Sequence, residues 1–187
     1  MREKLWSEGH YVAAVNEFEK VIKKDPSGKL GLQALYRAAT TQTIFLSQHN
    51  EAIQKLKSYI ELSPDQDSAW KAEKQIGDIL YSNLNKFELS IEHYQKLLQK
   101  NPNPQDIPEF LFRIGKSLFY LWKFQDSIKV FEEIIQKYPH SSWSEYAMLE
   151  IGTAYYTSGE QKSSEGERSI KAYYLAIETF QNFLNKY

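Results

Sequence analysis

The stretch FEEIIQKYPHSSWSEYA, Phe131 to Ala147, holds the pattern that decides the fold of this chain. Phe131, Ile134 and Ile135 follow the three-and-four spacing of one helical face, and Pro139 ends that helix. The serines just past the proline can cap a following helix or shape the turn that leads into it. The stretch therefore predicts two helices joined by a tight polar turn.

The proline at the end of this helix is one of four that recur at intervals of 38, 38 and 37 residues. Each of them ends an apolar-patterned run: Pro26, Pro64, Pro102 and Pro139. A small residue stands twelve positions before each proline: Ala14, Ala52, Ser90 and Ser127. A bulky apolar residue stands eight positions before it: Phe18, Leu56, Tyr94 and Phe131. Such fixed offsets mark a structural repeat in which each proline closes an amphipathic helix.

The second half of the repeat follows each proline, and a small residue recurs thirteen positions on: Ala39, Gly77, Gly115 and Gly152. Glycine inside a helix costs about 1 kcal/mol relative to alanine, so its recurrence indicates that two helices approach closely there. The repeating unit is therefore predicted to be a helical hairpin, and the fold class to be all-α.

A fifth copy of the first pattern ends the chain, where Ala176, Phe180, Phe183 and Leu184 repeat the small, bulky and paired apolar offsets. It is separated from its partner helix by GEQKSSEGERS, Gly159 to Ser169, which is predicted to be an inserted polar loop. In the alternative, the longer fifth helix absorbs part of this insertion.

The sequence starts inside one repeat, and the proline expected after Ala176 would fall at position 188. Because exposed terminal repeats normally need a polar cap, we expect residues 1–187 to form a single domain cut from a longer protein. The alternative is that Met1 is the true start and that Arg2 to Glu8 form a short capping helix.

Composition removes several classes of partner. Lys and Arg total 23 against 24 for Asp and Glu, and a net charge of -1 gives no electrostatic footprint for nucleic acid or an anionic membrane. No apolar stretch of 18 residues is present, so we expect no membrane insertion by this segment. The chain has no cysteine, which excludes disulfides, thiol catalysis and cysteine-ligated metal.

Nothing in the sequence points to catalysis. The four histidines fall at different points of the repeat without an HExxH pair, and no glycine-rich phosphate loop is present. We therefore expect a protein that is not an enzyme and that needs no cofactor or metal.

Four or five units in register resemble the tetratricopeptide repeat family, whose period is about 34 with a helix, a turn, a helix and a closing proline. The sequence from Phe131 to Gly159 looks like the longer-period branch of that family in bacterial envelope proteins, such as the outer-membrane assembly lipoprotein and the Tol-Pal coordinator. Its signature is a tyrosine-proline-x-serine turn, seen here as Tyr138, Pro139 and Ser141. The resemblance implies a right-handed superhelical solenoid and favours a periplasmic over a cytoplasmic location.

The resemblance also implies which positions line the concave groove, counted from the small residue thirteen past each proline. These positions include Gln33 and Lys71, and eight of them are predicted to contact a partner: Tyr36, Lys74, Tyr81, Phe112, Lys116, Phe119, Tyr120 and Tyr156. Tyr and Phe give large contact area at low entropic cost, so they serve well as anchors in binding surfaces. In the alternative, aromatic side chains at helical spacing fill the core.

These observations predict a non-catalytic adaptor or scaffold that holds a peptide or a partner protein in its concave groove, in the setting of bacterial envelope assembly. One alternative is an oligomerisation module in which the chain forms a homo-oligomer. Another is a regulatory domain of a larger multidomain protein.

Overall fold

The structure is a computed structural model that describes residues 6–100, 102–161 and 166–186. Nine α-helices have both ends within these ranges: α1 Tyr11–Lys24, α2 Lys29–Ile44, α3 His49–Leu62, α4 Gln66–Asp78, α5 Phe87–Gln99, α6 Ile107–Tyr120, α7 Phe124–Lys137, α8 Ser142–Gln161 and α9 Glu167–Lys186. A π-helical stretch, Ile79–Asn83, continues α4. The described residues contain no strand, so the predicted all-α fold class is confirmed.

The chain falls into two compact units that divide between Asn85 and Lys86. In the first unit, α1 packs on α2, α2 on α3, and α3 on α4. In the second unit, α5 to α9 pack in the same successive order, and α6 also contacts α8. Short connections make successive helices antiparallel, so each unit consists of the predicted helical hairpins. One domain over residues 1–187 stays a prediction.

The repeat positions found in the sequence form the cores of the two units. The bulky residues eight positions before the prolines are at most 2% exposed: Phe18, Leu56, Tyr94 and Phe131. The small residues twelve positions before the prolines have no exposed surface: Ala14, Ala52, Ser90 and Ser127. The repeat is thus a packing pattern, in which each large side chain of a closing helix reaches the centre of its hairpin.

Gly115 shows why a small residue is needed in the opening helix. A Cβ atom at this position would lie 2.6 Å from Cε1 of Phe131, the bulky core residue of the next helix. Ser127, four residues before that phenylalanine, donates a hydrogen bond from Oγ to the carbonyl oxygen of Gly115 at 2.8 Å. The close approach predicted from the recurring glycine is confirmed. We name this arrangement of glycine, serine and aromatic ring the glycine contact.

The last hairpin contains a second copy of the glycine contact. Here Gly159 takes the glycine position, with a Cβ position only 2.9 Å from Cε1 of Tyr173. Ser169 donates from Oγ to the carbonyl oxygen of Gly159 at 2.9 Å. In the same hairpin, a Cβ atom at Gly152 would lie 2.5 Å from Cε1 of Phe180, although Ala176 stands where the glycine contact has its serine. The two pairs of glycine and ring lie seven residues apart on each helix, by subtraction of their residue numbers.

This second contact corrects the bounds of the predicted loop. Both ends of the segment 159–169 are helical, because α8 continues to Gln161 and α9 begins at Glu167. Residues 162–165 lie outside the described residues. The alternative in which the helices absorb part of the insertion fits these bounds, since each helix reaches 20 residues.

A left-handed backbone conformation marks the turn before four of the closing helices. Positive φ angles occur five positions before the small core residue of each, at Gly9 (80°), Ser47 (53°), Asn85 (51°) and Trp122 (62°). Only one of these four residues is glycine, although glycine adopts this conformation most readily. The sequence pattern did not reveal this part of the repeat.

Candidate functional site

The eight residues predicted to contact a partner belong to two different units. Tyr36, Lys74 and Tyr81 lie in the first unit, and the other five lie in the second. Each unit is therefore described as a separate surface.

The first unit contains a cavity of about 800 Å³. Helix α2 forms its longest wall, α3 and the start of α4 contribute the other side, and Phe18 of α1 also lines it. The lining residues are Phe18, Ser27, Lys29, Leu30, Leu32, Gln33, Ala34, Tyr36, Arg37, Tyr59, Ser63, Pro64, Asp65, Ser68 and Lys71. Three of the predicted groove positions line this cavity: Gln33, Tyr36 and Lys71.

Two tyrosines form the aromatic part of the cavity lining. The ring of Tyr36 lies 5.4 Å from the ring of Tyr59, centroid to centroid, at an interplanar angle of 55°. Both rings are partly buried and pack against the core formed around Ala52 and Leu56. Their positions are therefore fixed by the core, and the exposed part of each ring is available to the cavity.

The charged groups of the lining are unequal in sign. Lys29, Arg37 and Lys71 bring three positive charges, whereas Asp65 brings one negative charge. The Asp65 carboxylate caps α4, accepting from the backbone N–H groups of Asp67 and Ser68 at 3.3 Å each. A hydrogen bond from the Ser68 hydroxyl is the main cause that lowers the pKa of Asp65. The cavity therefore has an excess of positive charge.

Lys74 and Tyr81 do not line this cavity. Lys74 lies further along α4, and Tyr81 lies in the π-helical stretch that follows it. Both side chains are partly buried. Of the three predicted contact residues in the first unit, the structure brings only Tyr36 to the cavity.

In the second unit, Phe112 is a core residue. Its side chain is 9% exposed, and its ring lies 5.5 Å from that of Phe131 and 4.9 Å from that of Trp143. Phe112 precedes Gly115 by three residues, so it lies on the helical face that packs against Phe131. The prediction that Phe112 offers surface to a partner is corrected for this reason.

Tyr120 belongs to an exposed aromatic surface. It is 45% exposed and stacks on Phe87, with ring centroids 4.8 Å apart. The ring of Tyr120 makes an edge contact with Phe119, and Phe119 makes an edge contact with Phe124. The ring of Phe124 in turn contacts Trp122, which is 61% exposed. Phe124 itself is buried at 6% exposure, so we name the other four residues, Phe87, Phe119, Tyr120 and Trp122, the aromatic face of the second unit.

Lys116 connects this face to α8. Its Nζ lies 2.8 Å from Oε1 of Glu150 and 5.2 Å from the ring centroids of both Phe119 and Tyr120. Both side chains of the ion pair are largely buried, since only 15% of the Lys116 side chain and 21% of the Glu150 side chain are exposed. The side chain of Lys116 on α6 is thus fixed by its ion pair with α8, and it packs against the rings of Phe119 and Tyr120.

Tyr156 lies apart from this face, on α8. It is 50% exposed, and its ring is tilted against that of Tyr173 at a centroid distance of 5.7 Å. The Tyr173 hydroxyl donates to Oε1 of Glu160 at 2.9 Å, and this hydrogen bond raises the pKa of Tyr173. Tyr156 therefore belongs to the last hairpin and not to the aromatic face.

The prediction missed two residues that shape these surfaces. Tyr59 stands at a repeat position where the other units have the aliphatic residues Val21, Leu97 and Ile134. This deviation from the repeat was the signal that could have identified Tyr59 as part of a site. Trp122 is exposed because the left-handed turn places it there.

Two further findings apply to the described part of the chain only. No group of three or more His, Asp or Glu side chains in it could hold a metal ion. Among its helices, none combines the length and the apolar character needed to cross a membrane.

Comparison with known proteins gives a repeat family for one part of the chain and a fold for nearly all of it. The tetratricopeptide repeat family matches residues 109–141, which contain all of α6 except its first two residues, all of α7, and Pro139. No curated protein matches the chain.

The similar solved structures are helical repeat proteins. A crystal structure of MamA is similar over 100% of this chain and 98% of its own, with a TM-score of 0.58 and 20% identity. MamA from Desulfovibrio magneticus RS-1 covers 98% of this chain and 89% of its own, with a TM-score of 0.63 and 11% identity. YrrB, described as a TPR protein with an unusual peptide-binding site, covers 95% and 82%, with a TM-score of 0.57 and 17% identity. The chain therefore has the fold of tetratricopeptide repeat proteins.

Proposed function

We propose that this chain is a non-catalytic adaptor that binds an extended peptide segment of a partner protein, and that the cavity of the first unit is its binding site. The observation that carries the proposal is the lining of that cavity. Three predicted groove positions meet there, in a volume within the range of about 300–1,000 Å³ that is usual for binding pockets.

The side chains of the cavity favour a particular class of peptide. Tyr36 and Tyr59 offer partly exposed rings against which an apolar side chain can pack. The positive charges of Lys29 and Lys71 in the lining favour acidic residues beside it. The Gln33 amide can donate to and accept from a peptide backbone. A peptide that combines an apolar anchor with flanking Asp or Glu suits this lining.

Peptide binding is also known for the fold, since YrrB is described as having a peptide-binding site. The half-exposed Tyr120 and Tyr156 stay in the proposal as contact residues of a partner that extends beyond the peptide. A role in bacterial envelope assembly and a periplasmic location rest on the Tyr138, Pro139 and Ser141 turn alone. Fractionation of the source cell would test that location.

The test of the site is selection of peptides from a displayed random library, followed by affinity measurement with labelled peptides. We compare the wild-type chain with Lys71→Glu, in the cavity lining, and with Lys57→Glu, an exposed lysine of α3 outside it. Reversing one charge in the site should weaken binding by on the order of tenfold, whereas the matched control should bind as the wild type does.

The selected sequences give a second readout. We expect enrichment in acidic residues around one apolar anchor. Equal affinity of the Lys71→Glu and Lys57→Glu variants for the selected peptides would reject the cavity as the site.

A further inference from the structure

Trp143 packs between two successive hairpins of the second unit. Its ring lies 4.9 Å from that of Phe112, centroid to centroid, and Cζ of Arg113 lies 5.9 Å from the centre of its ring. Both of these residues belong to α6, whereas Trp143 belongs to α8. The indole is partly buried and packs against the core of the unit. A tryptophan of one opening helix thus covers the side of the preceding opening helix.

The repeat gives Ser68 the position of Trp143. Ser68 stands four residues past Pro64 in α4, and Trp143 stands four residues past Pro139 in α8. The Ser68 side chain lines the cavity of the first unit, between α2 and α4. Both of these helices have a described helix before and after them in the chain. Where the second unit has an indole, the first unit therefore has a small hydroxyl side chain and open space.

The helix that faces this space is also equivalent in the two units. Tyr36 and Arg37 of α2 stand where Phe112 and Arg113 stand in α6, three and two residues before the small residue of each helix. Tyr36 and Arg37 both line the cavity. In the second unit Arg113 also forms an ion pair with Glu109 at 3.7 Å, so an arginine at this position packs on an indole while it keeps a carboxylate partner. The cavity therefore has an aromatic ring and a guanidinium at the two positions that flank the indole of the second unit.

We propose that the cavity of the first unit accepts a tryptophan side chain of the partner, and that this tryptophan is the apolar anchor of the bound peptide. This inference rests on the proposed function and names the anchor residue. The indole packs against Tyr36 and beside the guanidinium of Arg37, and tryptophan is the side chain that gives an arginine its strongest aromatic contact. Lys29 and Lys71 face the acidic residues that flank the anchor.

The experiment compares four labelled peptides of one sequence, glycine-glutamate-X-glutamate-glycine, in which X is tryptophan, phenylalanine, leucine or alanine. Their binding to the 187-residue chain is measured by fluorescence polarisation. We expect affinity to fall in that order. The tryptophan peptide should bind at least about tenfold more tightly than the alanine peptide, because buried tryptophans are among the strongest anchors of interfaces.

The variant Ser68→Trp places the side chain of the second unit in the cavity and should close the site. It keeps the backbone N–H bond of residue 68 to Asp65 and loses only the bond of the hydroxyl, so its helical circular dichroism and melting temperature should be kept. The affinity for the tryptophan peptide should fall at least about tenfold. Gln66→Trp adds the same side chain at an exposed position of α4 outside the lining, and this matched control should bind as the wild type does.

The variant Tyr36→Leu tests the anchor without filling the cavity. Leucine keeps an apolar side chain against the core but removes the ring that packs on the indole. The preference for the tryptophan peptide over the leucine peptide should therefore shrink by roughly threefold to tenfold. An unchanged preference would show that Tyr36 does not contact the anchor and would count against the proposal.

Three further results would overturn the proposal. Equal affinity for the tryptophan and leucine peptides, with both weakened by Lys71→Glu, would reject the tryptophan anchor and leave the proposed function in place. Full affinity of a folded Ser68→Trp variant for the tryptophan peptide would show that the indole binds elsewhere. If none of the four peptides binds, the tryptophan anchor is rejected, and selection from the random library decides the proposed function separately.

Discussion

The substitution Gly115→Ala tests the packing argument because two effects of opposite sign compete at this position. In an exposed helix, alanine stabilises relative to glycine by about 1 kcal/mol, since it restricts the unfolded chain. At Gly115 the new methyl group would lie 2.6 Å from Cε1 of Phe131 and 2.9 Å from two further ring atoms. Carbon atoms cannot approach so closely, so the ring or the helix must move.

The surroundings of Phe131 decide how much this movement costs. The side chain has no exposed surface, and the ring of Phe112 lies 5.5 Å away. The phenylalanine cannot turn toward solvent, and overpacking of a dense core costs about 1–3 kcal/mol. After the gain of about 1 kcal/mol from helix propensity is subtracted, we expect Gly115→Ala to lower the free energy of unfolding by about 0–2 kcal/mol.

The assay is chemical denaturation followed by circular dichroism, with a double-mutant cycle. In a Phe131→Leu background the clash is relieved, and Gly115→Ala should become neutral or stabilising there. Gly152→Ala makes the same contact with Phe180, which is partly exposed and can yield, so it should cost less than Gly115→Ala. If Gly115→Ala raised stability in the otherwise wild-type chain, the reasoning on close helix approach would be refuted.

Three other predictions follow from burial and hydrogen bonding. Phe112→Ala should cost about 3–5 kcal/mol in denaturation, whereas the half-exposed Tyr120→Ala should cost under about 1 kcal/mol; the reverse order would restore Phe112 to the surface. Ser169→Ala should cost about 1 kcal/mol by loss of its bond to Gly159, and an unchanged unfolding midpoint would count against the second glycine contact. Burial raises the pKa of Tyr155 above its usual value near 10. The stability that this raised pKa contributes is present below pH 10 and is lost as the pH rises through the folded pKa. The Tyr155→Phe variant should therefore lose less stability than the wild type when the pH is raised above 10. Equal losses in the two proteins would contradict the raised pKa of Tyr155.

The core could be predicted from the sequence because the repeat places equivalent side chains at equivalent depths. Phe18, Leu56, Tyr94 and Phe131 share one offset from their prolines, and all four are buried as that offset implies. Four independent copies of one pattern average out the local irregularities that mislead the analysis of a single helix.

The candidate site could be predicted only in part, because it depends on features that the units do not share. Positive φ angles occur at Ser47, Asn85 and Trp122, three residues whose side chains share no chemistry. The residue types therefore did not indicate where these turns lie. The cavity of the first unit needs α2, α3 and the start of α4 together, and its position depends on how these helices meet. Phe112 was placed on the wrong side by family resemblance, although its spacing of three from Gly115 already indicated the core.

The last hairpin brings two glycines against aromatic rings, Gly159 against Tyr173 and Gly152 against Phe180, and their spacing governs how such a repeat can grow. The two pairs lie seven residues apart on α8 and seven residues apart on α9, so each glycine faces a ring across the hairpin. A hairpin of this type can therefore lengthen only by insertions of about two helical turns that occur in both of its helices together. Extra residues on one arm alone would put every later ring opposite a side chain instead of a glycine. Length variation among proteins built this way should accordingly be stepped and symmetric, with the unmatched residues confined to the connection between the arms.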